Sequence, residues 1–270
     1  MKSVLLHVQD DARLDARLQS ALSIVRASGG HLTCLHVTPI NIYVGYDGLG
    51  GGTAMPNIYG ILEEQEAKMR ARIEGHLTNE DISWNYERTT GDPAQMLVSS
   101  ASLTDLIVLG RGQHRENFHA TLSLIGDVLQ SARTPIFVQP EELETFDPFG
   151  VALVAWNGSF EAANALRAAM PMLQYASDVH IVTVEEPKDH LLPSTAASAY
   201  LSRHGVTSEL HTKSANEVAV DDVISTTAEI VDAKYLVMGG YGHSRAREFL
   251  FGGVTRSLLK ACPIPLIMAR

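Results

Sequence analysis

The segment Tyr235-Leu236-Val237-Met238-Gly239-Gly240-Tyr241-Gly242 is a short apolar run that stops on glycines. Nine residues later the chain reads Gly252-Gly253-Val254-Thr255. The run is too short for a helix and has no polar position facing solvent, so it reads as a strand buried on both faces. Strands of that kind belong to parallel sheets with helices on both sides. An earlier segment, Leu106-Ile107-Val108-Leu109-Gly110-Arg111-Gly112, has the same form. Further on, the stretch 128–138, with Pro135-Ile136-Phe137-Val138, matches 258–268, with Pro263-Ile264-Pro265-Leu266-Ile267-Met268. Gly112 and Gly242, Leu129 and Leu259, and Pro135 and Pro265 are each 130 positions apart. The chain therefore reads as two copies of one domain of roughly 130 residues. The expected division is a first domain over 1–140, a linker over 141–149 with several acids and Pro148, and a second domain over 150–270.

Outward from these landmarks, each copy alternates strand and helix. In the first copy, strands are expected at Val4–Val8, Leu32–Val37, Ser83–Arg88, Leu106–Leu109 and Ile136–Val138. Helices are expected over 12–27, 57–77, from Asp92-Pro93 onward, and over 120–131. Leu14, Leu18, Ala21, Leu22 and Val25 give the first helix one apolar face. Asp92 suits an N-cap and Pro93 a first helical turn. The second copy repeats the order, with strands at 151–155, 179–184, 206–211, 235–238 and 265–268. Its helices are expected over 160–173, 194–203, 216–232 and 253–261. Right-handed crossovers make this an α/β fold of two tandem doubly wound, five-stranded parallel-sheet domains. Ligands of such sheets bind at the carboxyl ends of the strands.

Composition narrows the function. Of 270 residues, 45% are hydrophobic and 19% charged, which fits an ordinary globular protein. The net charge of −10 argues against a nucleic-acid partner. No stretch approaches the ~20 apolar residues of a membrane helix, and Met1–His7 does not read as a signal peptide. A cytoplasmic protein with no membrane partner is expected. Cys34 and Cys262 lie in apolar surroundings and read as buried free thiols. The sequon Asn157-Gly158-Ser159 carries no weight without export.

The glycine clusters are the best candidate for chemistry. Free N–H groups of Gly253, Val254 and Thr255 at a helix start form an anion site, and the Thr255 hydroxyl adds a donor. The alternative is that the glycines only end a strand and ease packing. Gly-x-x-Gly, nine residues, then Gly and a small residue resembles the nucleotide motif of the universal stress proteins. Val154-Ala155-Trp156-Asn157-Gly158-Ser159 is similar to that family's first-strand signature, and the resemblance spans both copies. It implies strand order 3-2-1-4-5 and a stress-response sensor or regulator that binds ATP, ADP or AMP, with or without Mg2+, and uses no redox cofactor. It places Ala155 and Asn157 near adenine and ribose, Val184 against the base, and Met238 and Gly239 beside the ribose. Gly242 and Gly252 would face the phosphates, with Gly253, Val254 and Thr255 as donors. Asn157 stands where the family has Asp, and Gly253 where it has Ser or Thr. Each change removes roughly one hydrogen bond, on the order of 1 kcal/mol.

The first copy departs further. Leu122-Ser123 stand where the second has Gly252-Gly253, so the first copy is not expected to hold a nucleotide in that way. Its loop Gly45–Gly52 reads as a lid or a plain connection. The family also implies that the two copies pair through their last strands, Pro135–Val138 and Pro265–Met268, as an intramolecular dimer, with a homodimer as a further assembly. Other readings are a scaffold that binds no nucleotide and a weak ATP hydrolase. No metal site is expected: His31 and His36, His114 and His119, and His204 and His211 lack a ligand pattern. Arg245, Arg247 or Arg256 could pair with phosphate, and Asp10-Asp11 reads as a helix cap. There is no Gly-x-x-x-x-Gly-Lys, no Gly-x-Gly-x-x-Gly after a first strand and no Gly-x-Ser-x-Gly, so the corresponding enzyme classes are excluded and no catalytic residue is assigned.

Overall fold

The apolar runs form the strands and the amphipathic stretches cover them. The computed structural model describes residues 1–39, 55–112, 115–185, 192–214, 218–240 and 252–270. In the first copy these form β1 (Ser3–Val8), α1 (Leu14–Ser28), β2 (His31–Pro39), α2 (Met55–Leu77), β3 (Ser83–Gly91), α3 (Pro93–Ser100), β4 (Leu106–Gly110), α4 (Arg115–Ser131) and β5 (Ile136–Gln139). The second copy has β6 (Ala152–Ala155), α5 (Phe160–Leu173), β7 (Val179–Glu185), α6 (Ser194–Arg203), β8 (Ser208–Ser214), α7 (Val220–Ile230), β9 (Tyr235–Gly239), α8 (Gly253–Ala261) and β10 (Leu266–Ala269). Gly242, Arg245, Arg247, His114, the side chain of His119 and the loop Gly45–Gly52 lie outside the described residues.

The strands form one ten-stranded sheet, ordered β3-β2-β1-β4-β5-β10-β9-β6-β7-β8. Each half reads 3-2-1-4-5 and is parallel throughout. The halves join through β5 and β10, which run antiparallel and pair Leu266 with Val138, Ile267 with Phe137 and Met268 with Ile136. Phe137 thus faces its own repeat counterpart, Ile267, and a pseudo-two-fold axis passes through that pair. Alternation of side chains along the strands creates two apolar layers. One contains Val4, Leu6, Phe137, Val154, Tyr235 and Val237, with α1 and α5 over it. The other contains Leu5, Ile107, Leu153, Val182, Val184 and Met238, with α4 and α8 over it. Both layers run across the junction. Phe146, from the segment between the copies, stacks edge-on against Phe137 at 4.9 Å and Tyr235 at 5.6 Å.

Several boundaries shift for local reasons. β8 covers Ser208–Ser214, not 206–211. The Val206 N–H bonds back to the Leu201 carbonyl, so Val206 closes the end of α6 and does not open the strand. α7 spans Val220–Ile230, short of the expected 216–232, and Asp232 takes a positive φ of 54° just beyond it. α4 begins at Arg115, ahead of the expected 120. The repeat offset is not constant either. Ile107 pairs with Ile136 and Leu236 with Leu266, so the fourth strands are one position short of the offset of the fifth strands. Gly110 therefore corresponds to Gly239 and Arg111 to Gly240, which donate the equivalent backbone bonds to Gln139 and Ala269. α1 has no side-chain cap: Asp11 accepts from the Arg13 N–H at 2.8 Å and ion-pairs with Arg17 at 2.8 Å.

Candidate nucleotide cradle

At the carboxyl edge of the second copy, β6 lies between β7 and β9. The carboxyl ends of all three strands therefore lie side by side. Val184 and Met238 belong to the apolar layer on the α7–α8 side, and Ala155 packs against it. By alternation Asn157 continues on the Ala155 side of the strand. These residues form a floor of mostly apolar character. Asn157 is exposed, and its Oδ1 accepts the Ser159 N–H at 3.2 Å. Gly158 takes a φ of 70°, and Ser159 Oγ accepts from Ala162 N at 3.2 Å, capping α5. The polar residues of the signature therefore shape the turn that leads into α5.

Above the floor, α8 begins with Gly252 as N-cap, in extended backbone and with no side-chain cap bond. The first intrahelical bond described runs from Arg256 N to Gly252 O at 3.0 Å. The N–H groups of Gly253, Val254 and Thr255 precede it and have no intrahelical acceptor. Three free donors and the positive end of a helix dipole attract an anion.

The glycines divide by their surroundings. A Cβ on Gly239 would sit 2.6 Å from both Ala162 N and Glu161 C, backbone atoms of α5. A Cβ on Gly240 would meet Leu129 Cδ2 at 2.5 Å. Packing alone accounts for these two. Gly252 and Gly253 are different: a Cβ on either meets nothing within 4 Å among the described residues. Gly252 has a φ of −63°, and neither residue has positive φ. Neither crowding nor backbone conformation requires glycine there. Open backbone at a helix start is what close approach of a ligand uses.

The first copy lacks this arrangement. α4 runs unbroken from Arg115 to Ser131, so Leu122 and Ser123 lie inside a helix. Leu122 is buried in the core. No helix start exists at those positions to offer N–H groups. A cavity of about 200 Å³ lies at the ends of β1 and β4, lined by Asp11, Arg17, Gly110, Arg111, Gly112 and Thr121 among others. The buried Arg17 guanidinium holds both Asp11 carboxylate oxygens, at 2.9 and 2.8 Å. It lies close against Gly110, where a Cβ would come within 2.6 Å of Nη1. Arg111 donates to the Cys262 carbonyl at 2.7 Å across the junction.

Other histidines and the cysteines named from the sequence make local contacts. His31 bonds Ser83 and Asn85 at 2.7 and 2.8 Å, and His36 bonds Tyr86 at 3.0 Å. Cys34 and Cys262 are free and buried, and burial pushes the Cys34 thiol up to about 12. Among the described residues, no helix is long and apolar enough to cross a membrane. His211 lies within β8, and sequence reading missed its partner His180, 2.9 Å away on β7.

The model of the Universal stress protein family matches residues 148–270. No curated protein matches the chain. Among solved structures, a universal stress protein from Archaeoglobus fulgidus DSM 4304 superimposes with a TM-score of 0.78 at 17% identity, over 99% of this chain and 96% of its own. A putative universal stress protein from Pseudomonas aeruginosa UCBPP-PA14 gives 0.60 at 15% identity, over 100% and 93%. At these identities the likeness is one of fold.

Proposed function

We propose, from the premise that residues 148–270 form a universal stress protein domain, that the second copy binds an adenine nucleotide and the first does not. The family supplies the ligand class: ATP, or ADP or AMP, with or without Mg2+. The observation that carries the reading is the open, uncrowded pair Gly252-Gly253 at the start of α8. In this reading the phosphates sit against the N–H groups of Gly253, Val254 and Thr255, with Gly242 on the same strand-to-helix connection. The base lies on Ala155, Val184 and Met238, and Asn157 faces the ribose. The protein acts as a cytoplasmic sensor or regulator in the stress response, not as an enzyme.

A ligand that binds only the folded state raises its stability, by about 2.7 kcal/mol at a hundredfold excess over Kd. Added ATP is expected to raise the melting temperature of the parent protein and to leave Gly252→Leu unchanged. A parent protein indifferent to ATP, ADP and AMP would reject the reading. The second reading, a scaffold without nucleotide, is favoured by one observation. The two copies share one continuous junction, built from β5, β10 and Phe146, with both apolar layers running across it.

A further inference from the structure

The second copy also presents three ligating side chains on one face of its outermost strand pair. His180 lies near the start of β7, and Glu209 and His211 lie on the edge strand β8. The parallel register sets His180 opposite Glu209 and His211 opposite Val182. Residues 180 and 182 share one side of β7, and 209 and 211 share one side of β8. Val182 belongs to the apolar layer on the α7–α8 side, so the three ligating groups lie on that side too. They sit toward the amino-terminal ends of the strands, whereas the nucleotide cradle lies at the carboxyl ends.

The donor atoms converge. His180 Nδ1 and His211 Nε2 are 2.9 Å apart. Glu209 Oε2 is 3.7 Å from His180 Nδ1, and Glu209 Oε1 is 3.9 Å from His211 Nε2. Ligands at ~2.0–2.1 Å around a tetrahedral ion are about 3.4 Å apart. Each observed separation is within about half an ångström of that value. The two imidazoles are mostly covered, at 16% and 19% exposure, while Glu209 at 68% leaves the approach open to solvent. An ion can enter beside the carboxylate without any rearrangement of the sheet.

The first copy provides an internal comparison. Counting from the pairing of β1 with β2 and of β6 with β7, the corresponding residues are Thr33, Asn85 and Glu87. There Thr33 Oγ1 donates to Asn85 Oδ1 at 2.8 Å, and Asn85 Nδ2 donates to Glu87 Oε1 at 2.8 Å. That set is satisfied by hydrogen bonds, one of them between Asn85 and His31, and none of its three members is a histidine. The ligating version belongs to the second copy.

We propose that His180, Glu209 and His211 bind a zinc-class divalent cation through Nδ1, one carboxylate oxygen and Nε2. Two imidazoles and one carboxylate suit Zn2+ and disfavour Mg2+ and Ca2+, which take oxygen ligands. Three protein ligands leave a fourth position for water. The ion ties the edge strand β8 to β7, its only neighbour in the sheet among the described residues.

The test uses the full chain, freed of metal by a chelator and titrated with Co2+ by absorption and with Zn2+ by calorimetry. One equivalent is expected to bind at neutral pH, with Co2+ giving the visible bands of a tetrahedral N/O site. His180→Gln and His211→Asn should each weaken binding on the order of a hundredfold, and Glu209→Gln less. His31→Ala, which alters a histidine outside the cluster, should bind as the parent does. Circular dichroism and melting of each metal-free variant separate loss of binding from loss of fold. The proposal is overturned if the parent shows no saturable binding, or if the doubly substituted His180→Gln, His211→Asn protein binds as tightly. Either result would leave the pair as two imidazoles sharing a hydrogen bond.

Discussion

Gly239 and Gly252 belong to the same motif but have different reasons to be glycine. Gly239 is held by the backbone of α5, so Gly239→Ala forces that helix away. A cost of about 1–3 kcal/mol is expected in a denaturant melt, with or without nucleotide. Gly252→Leu meets open space, so it should leave the unliganded protein as stable as the parent and remove only ligand binding. Equal destabilisation by both substitutions would contradict this division. Gly253→Ser returns a hydroxyl to the helix start and should tighten nucleotide binding several-fold, about 1 kcal/mol, in a calorimetric titration. His7 gives a pH signature. It is buried beside Arg17, and burial first, then that guanidinium, push its pKa from 6.5 down to about 4. The unfolded chain therefore takes up a proton near 6.5 that the folded chain refuses. Stability is full above that pH and falls between 6.5 and about 4, by up to about 3 kcal/mol from this group. Unfolding of His7→Ala, measured across that window, should show a shallower pH slope than the parent. An unchanged slope would contradict the assignment.

At the scale of elements, the sequence is most readable where a chemical signal marks an end. α5, α6 and α8 begin and end where periodicity and capping place them. Ser159 caps α5, Pro193 precedes α6 and Gly252 precedes α8. Asp92 accepts from Gln95 N at 2.9 Å, so Asp92→Ala should cost about 1 kcal/mol in a thermal melt, and no change would remove its role as a cap. Reading was weakest at β8, a polar edge strand with no apolar run to announce it. The early start of α4 was also hidden, because Arg115-Glu116-Asn117 carries no apolar period. With that start the first copy has no helix terminus at Leu122-Ser123, where the second copy has one at Gly252-Gly253. The His180–Glu209–His211 cluster was illegible for another reason: it depends on the register between β7 and β8, which the linear sequence does not contain. Ala155, Val184 and Met238 were singled out by the family resemblance, and the structure sets them toward one apolar layer of the sheet.

The whole molecule is a continuous sheet with a pseudo-two-fold axis and two unequal ends. Phe137 is fully buried at that axis, facing Ile267 and packed on Phe146. Phe137→Ala should cost about 3–5 kcal/mol, and the loss should appear as one cooperative unfolding step in calorimetry because both apolar layers cross the junction. A separate melting of one half would contradict a shared core. The symmetry breaks at the carboxyl ends of the strands. Arg111 reaches across the junction where its counterpart Gly240 makes room for Leu129. The first copy lines its cleft with the Arg17–Asp11 pair, while the second has a helix start with no side-chain cap. The account therefore predicts one nucleotide per chain. The most direct measurement is mass spectrometry of small molecules released when the purified protein is gently denatured, run in parallel on Gly252→Leu. Adenine nucleotide near one per chain from the parent, and none from the variant, is the predicted result. Nucleotide in equal amount from both proteins, or from neither, would contradict it.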